Sequence, residues 1–143
     1  MTNNNAIWKQ KKARLEKIIE KYIFYCLSLD NYPVSTINDN YTFEKLAFDN
    51  SNIDPKYATI NKKEINDGVD FINNFRLSFN KLTTEERKLI YWTYIDVEHN
   101  YDDRYIANEL GYSVGYYYIL KKRTITRFAY ALLIDFNKIE REE

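Results

Sequence analysis

The residues best placed to do chemistry in this chain are cationic rather than catalytic. From 113 to 130 stand Lys121, Lys122, Arg123 and Arg127 with no acidic residue among them, a local charge of +4. Ammonium and guanidinium groups in such a run suit phosphate contacts, which hold a protein on nucleic acid without reading its sequence. Just ahead lie Ser113, Val114, Gly115, Tyr116, Tyr118 and Ile119. Small, apolar and phenolic groups of this kind fit a groove and touch base edges. A solvated basic helix face would have the same composition, so the surrounding elements must decide.

Other reactive side chains are too few to form a centre. His99 is the single histidine and Cys26 the single thiol, so no His/Cys metal site is expected, and no intramolecular disulfide. Asp102 and Asp103 adjoin, but the start of a helix explains both. There is no glycine-rich phosphate loop. The expectation is a non-enzyme that needs no cofactor and no metal.

The basic run is embedded in helix signals. Tyr117, Leu120, Thr124 and Phe128 recur at spacings of three and four, with Ile125 beside them, and predict the inner face of a helix that begins after Ser113. The opposite face carries Val114, Gly115, Tyr118, Ile119 and Lys122, flanked by Tyr116, Lys121, Arg123, Thr126 and Arg127. Upstream, Asp102 is placed to cap a short helix that buries Ile106, Ala107 and Leu110. Gly111 is placed to end that helix in the left-handed conformation, and Ala107 to let the next helix cross closely. Thr83 with Glu86 reads as a capping box opening a helix that runs to about Asp96. Helix, short turn and basic helix is the layout of a helix-turn-helix DNA reader.

Two further helices are predicted before this unit. Leu15, Ile18, Ile19, Tyr22, Ile23, Cys26 and Leu29 give an amphipathic helix from Trp8 to about Leu29. Ile65, Val69, Ile72, Phe75, Phe79 and Leu82 give a second from about Lys62 to Asn80, with Gly68 as its weak point. The segment 30–60, with Pro33, Pro55 and many Asn and Asp residues, breaks the period and reads as a connection, with one short helical turn near 43–48. Its length implies that Tyr41, Phe43, Leu46 and Phe48 pack across the helices, or that it is a hinge between two lobes. The sequence thus divides into 1–60, a helix with an irregular connection, and 61–143, a helical DNA-binding domain.

Composition agrees with an all-α chain. Three Gly and two Pro in 143 residues are too few for the turns of a sandwich or barrel, while fourteen Tyr and eight Phe can fill a core with large rings. Net charge is zero overall but unevenly distributed. Residues 9–21 carry six basic side chains against Glu16 and Glu20, and 30–60 carry five acidic against two basic. Local basic faces, not the total, set nucleic-acid binding. No leader or long apolar run is seen, so a soluble protein without a membrane partner is expected.

The residues Leu82, Glu86, Arg87, Leu89, Ile90, Tyr94, Ile106, Ala107, Leu110, Gly111 and Ser113 resemble region 4 of bacterial sigma factors. Leu110 to Ser113, followed by Tyr116 to Tyr118, Lys121 to Arg123, Phe128 and Ala129, is similar to the ArpU family of phage transcriptional regulators. That resemblance implies a helical N-terminal region followed by a sigma region 4-like helix-turn-helix. It also implies control of late packaging and lysis genes, in the cytoplasm of a bacterial host. One departure matters: sigma region 4 usually has charged residues after the capping Ser, where this chain has Val114 and Gly115. These can touch thymine methyls or admit the backbone but cannot make a bidentate guanine contact.

The expected partners are double-stranded DNA and, through the resemblance, bacterial RNA polymerase. A homodimer would add contacts that a single half-site lacks, with 7–29 or 131–139 as interface. The rival expectation is a protein-binding helical adaptor using Tyr91, Trp92 and Tyr94 as exposed aromatics, although Tyr91 and Trp92 are equally suited to pack against the N-terminal helix. A divergent sigma factor is the weakest alternative, since no long polymerase-binding helical region precedes residue 82.

Overall fold

Each apolar stripe of the sequence becomes a helix in the computed structural model, which describes residues 4–29, 37–46, 62–96 and 99–132. Helix α1 spans Asn4–Leu29 and α2 spans Lys62–Asn80. Leu15, Ile19, Tyr22 and Cys26 of α1 are buried against Ile72, Phe75 and Phe79 of α2, with Val69 only half-buried. The rings of Tyr22 and Phe75 stack with centroids 3.8 Å apart. Gly68 is what permits this closeness. A Cβ there would lie 2.7 Å from Leu29 Cδ1 and 2.9 Å from Tyr25 Cδ1, so a larger residue would require the Leu29 and Tyr25 side chains to shift. The glycine that weakens α2 as an isolated helix strengthens its packing.

Helix α3 spans Thr84–Ile90 and opens with the expected capping box: the Thr83 amide donates to Glu86 Oε1 at 3.0 Å, and the Glu86 amide to Thr83 Oγ1 at 3.3 Å. It runs on into one wider π turn, Tyr91–Ile95, closed by the Asp96 amide donating to the Tyr91 carbonyl at 2.8 Å. Helix α4 spans Asp103–Leu110, and α5 spans Val114–Ala131. The architecture is all-helical, with no strand among the described residues beyond an isolated bridge between Ile37 and Phe43.

The connection near 37–46 departs from expectation. Its described part is not helical: Asn38 Oδ1 accepts from the amides of Asn40 and Thr42, and Tyr41 takes a left-handed φ of 58° to complete the turn. Phe43 and Leu46 then lie extended along α2, where helix formation would have removed their partners. The Asn80 side chain accepts from the Phe43 amide and donates to its carbonyl, and Asn73 does the same for Leu46. Two amides seven residues apart on one helix thus stand in for a neighbouring strand. Residues 30–36 and 47–61, and the proposed tail interface beyond 132, lie outside the described residues.

One hydrophobic cluster draws on all of these elements. It includes Leu15, Ile19, Tyr22 and Phe43 from before residue 60 and Leu89, Ile90, Ile106, Leu120 and Phe128 from after it. Helix α5 is its hub, packed on α1, α2, α3 and α4. The direction of α5, and of whatever its outer face carries, is therefore set by the whole core.

Candidate nucleic-acid interface

The α4–turn–α5 unit is built as its residue types dictate. The Asp102 carboxylate accepts from the Tyr105 amide at 2.7 Å and starts α4. Gly111, at φ 80°, ends it. The Tyr112 amide donates back to the Ala107 carbonyl at 2.9 Å and the Gly111 amide to Asn108 at 3.0 Å, the paired bonds of a left-handed helix stop. Ser113 Oγ then accepts from the Tyr116 amide at 3.2 Å and starts α5. Ala107 is buried at the crossing.

On α5, Tyr117, Leu120, Thr124, Ile125, Phe128 and Ala129 are buried. The other side looks outward along its full length. Val114, Tyr116, Tyr118 and Ile119 are 40, 42, 52 and 65 % exposed. Ser113, Gly115, Lys122 and Arg123 are exposed too. Gly115, Ile119 and Lys122 fall near the middle of the arc, with Val114 and Tyr118 on one flank and Tyr116 and Arg123 on the other.

The four cations of this helix do not share one role. Lys122 and Arg123 are exposed and form no ion pair among the described residues; the Lys122 ammonium lies 5.4 Å from the centre of the Trp8 ring, which brings the basic start of α1 alongside. Lys121 differs. Its ammonium is 3.0 Å from Asp103 Oδ1 and its side chain only 15 % exposed, so the phosphate contact expected of it gives way to a bond between α4 and α5. Arg127 is intermediate, half-exposed with Nη1 at 3.5 Å from the buried Glu86 Oε2, an ion contact without hydrogen-bond alignment.

Asp103 gathers more than this lysine. It also accepts from Tyr117 Oη at 2.8 Å and, more loosely, from Tyr118 Oη at 3.4 Å. Partial burial pushes its carboxyl upward, but the bonds from Lys121 and the two phenols prevail and hold it below the ordinary carboxylate range. Burial, reinforced by the same contact, drives the Tyr117 phenol well above its usual value. Tyr116 is held from the other side: its ring lies 4.7 Å from that of Tyr112, whose hydroxyl donates to Glu85 at 2.7 Å. Asp103, Glu85, Tyr112 and Trp8 were not marked as site residues by the sequence. Only Asp103 carried any signal, as a first-turn acid, and that signal pointed to its own helix.

The aromatics assigned to an adaptor surface are covered instead. Tyr91 is 5 % exposed, and Trp92 and Tyr94 are half-buried. The Tyr41 ring meets Tyr91 and Trp92 edge-on at 5.7 and 5.8 Å, and Arg87 donates to the Asn40 carbonyl at 3.0 Å to keep the turn in place. Among the described residues there is no cluster of His, Cys, Asp or Glu suited to a metal ion, and no helix long and apolar enough to cross a membrane.

No family model, curated protein or solved structure matches the chain.

Proposed function

We propose that the protein is a sequence-specific DNA-binding transcriptional regulator whose α4–turn–α5 unit is a sigma region 4-like helix-turn-helix. The observation that carries this reading is the outer face of α5. It is exposed from Ser113 to Arg123, free of acidic residues, and stands on a helix that a three-residue turn and an αL glycine join to α4. A helix held in this way enters the major groove with its first turns, while cations further along reach phosphates. Ser113, Val114, Gly115, Tyr116, Tyr118 and Ile119 face the bases; Lys122 and Arg123, with Arg127 at the margin, face the backbone. The similarity to the ArpU family adds the biological setting: activation of phage late genes together with bacterial RNA polymerase.

Salt dependence tests the reading. Replacing Lys122 and Arg123 with Ala lowers the slope of log affinity against log salt by about 2, about 1 for each lost phosphate contact, and does so on any duplex sequence. A slope unchanged in the double variant would sink the proposal.

A further inference from the structure

The hydrogen-bonding capacity of the leading half of α5 is largely turned inward. The Lys121 ammonium and the Tyr118 hydroxyl both end on Asp103, and Ser113 Oγ is occupied as an acceptor by the Tyr116 amide. What this surface offers outward is mostly hydrocarbon, the Val114 and Ile119 side chains and the Tyr118 ring, with the Tyr116 ring and hydroxyl at its edge. A base pair presents one apolar knob in the major groove, the C5-methyl group of thymine, and a G·C pair presents none.

Gly115 lies in the middle of this patch, and nothing inside the protein calls for it. A Cβ built there meets no atom within 4 Å, and its φ is not in the left-handed region. Glycine weakens a helix relative to alanine, so an exposed helical glycine without an internal reason points to something approaching from outside. The cations Lys122 and Arg123 continue the same face, and their charge suits a polyanion.

We infer that the first two turns of α5 recognise thymine methyl groups in an A·T-rich major groove, with Val114, Tyr118 and Ile119 as the methyl-contacting surface and Gly115 as the point of closest backbone approach. This rests on the DNA-binding reading and adds the class of sequence read.

The test begins with selection of bound sites from a pool of random-sequence duplexes by the full-length protein. Sites with thymine at fixed positions are enriched. Replacing each such thymine by deoxyuridine, which removes only the methyl group, weakens binding about three- to fourfold per methyl in contact. That loss disappears at one position in Ile119→Ala and at another in Val114→Ala. Gly115→Ala has separable effects, leaving Tm unchanged or slightly raised because Gly115 lies in the first turn of α5, while weakening the selected site at least about tenfold. Retention of the pool with steep salt dependence but without thymine enrichment overturns the inference and leaves DNA binding standing. So does an equal deoxyuridine penalty in the wild type and both alanine variants, which would place the effect in DNA shape. Unchanged affinity in Gly115→Ala removes the close-approach role. Failure to retain any duplex at low salt overturns the inference and the DNA-binding reading together.

Discussion

Arginine and tyrosine occur both in the α1–α2 seam and on the outer face of α5, and the two places use them in opposite ways. In the seam Arg76 is 2 % exposed, and its guanidinium donates to Tyr22 Oη at 3.0 Å and to the Glu44 carbonyl at 3.2 Å. Burial, with Cys26 beside it, drives the Tyr22 phenol far above its ordinary value. On α5, Lys122 and Arg123 stand in solvent and Tyr118 shows half its surface. A buried cation with ordered partners fixes structure, because removing it strands those partners away from water. An exposed cation contributes little to the fold and remains available to an external anion. The contrast separates a residue that maintains the protein from one that meets another molecule, although the residue types are the same.

The largest effect expected from breaking this contrast is in the seam. Arg76→Ala leaves a cavity and unpartnered acceptors, and costs about 2–4 kcal/mol in urea unfolding while leaving the salt slope of DNA binding unchanged in the folded protein. A change in slope would mean that the two regions are not independent. Ser113 sits where the roles overlap. Ser113→Ala loses the cap of α5 and about 1 kcal/mol of stability. Ser113→Asp regains the cap but sets a negative charge at the groove, so thermal stability returns while affinity falls; recovery of both would remove Ser113 from the interface. The smallest effect concerns Asp103. Its carboxyl is held below the ordinary range, so its stabilising contribution is present above that range and is lost as pH falls through the folded-state value. Asp103→Asn therefore flattens the loss of stability below about pH 4. The same variant releases Lys121 and steepens the salt dependence of DNA binding. A pH profile identical to wild type would show that Asp103 does not tether α5.

The helices and their ends were legible in the sequence because local rules set them. Thr83, Asp102, Gly111 and Ser113 each act on amides or carbonyls within a few residues, and the inner face of α5 follows from spacing alone. What was not legible joins residues far apart in the chain. Lys121 meets Asp103 and Arg127 meets Glu86 because of the angle at which α5 crosses α4 and α3, which no periodicity encodes. The hold of Asn73 and Asn80 on the 43–46 backbone was equally hidden, since an amide on a helix surface ordinarily signals solvent. The covering of Tyr91 and Trp92 followed from that hold. Residue type alone leaves Tyr91 and Trp92 equally suited to a partner surface and to packing against the N-terminal helix; the turn at Tyr41 that lies over both has no local signal.

The π turn at Tyr91–Ile95 has one more consequence. A bond from residue 96 to residue 91 widens the coil by one position, so Tyr91 and Asp96 come to the same inner side, where a uniform α-helix would have set them well apart. Asp96 there receives His99, whose Nδ1 lies 3.1 Å from both carboxylate oxygens, and the chain turns toward α4. The stretch behaves as a length gauge. It absorbs one surplus residue between the α3 register and the launching point of α4, so deleting a single residue within it would restore a uniform α turn and leave every following side chain in its place against the core, whereas the same deletion in α3 itself would have no such slack to draw on.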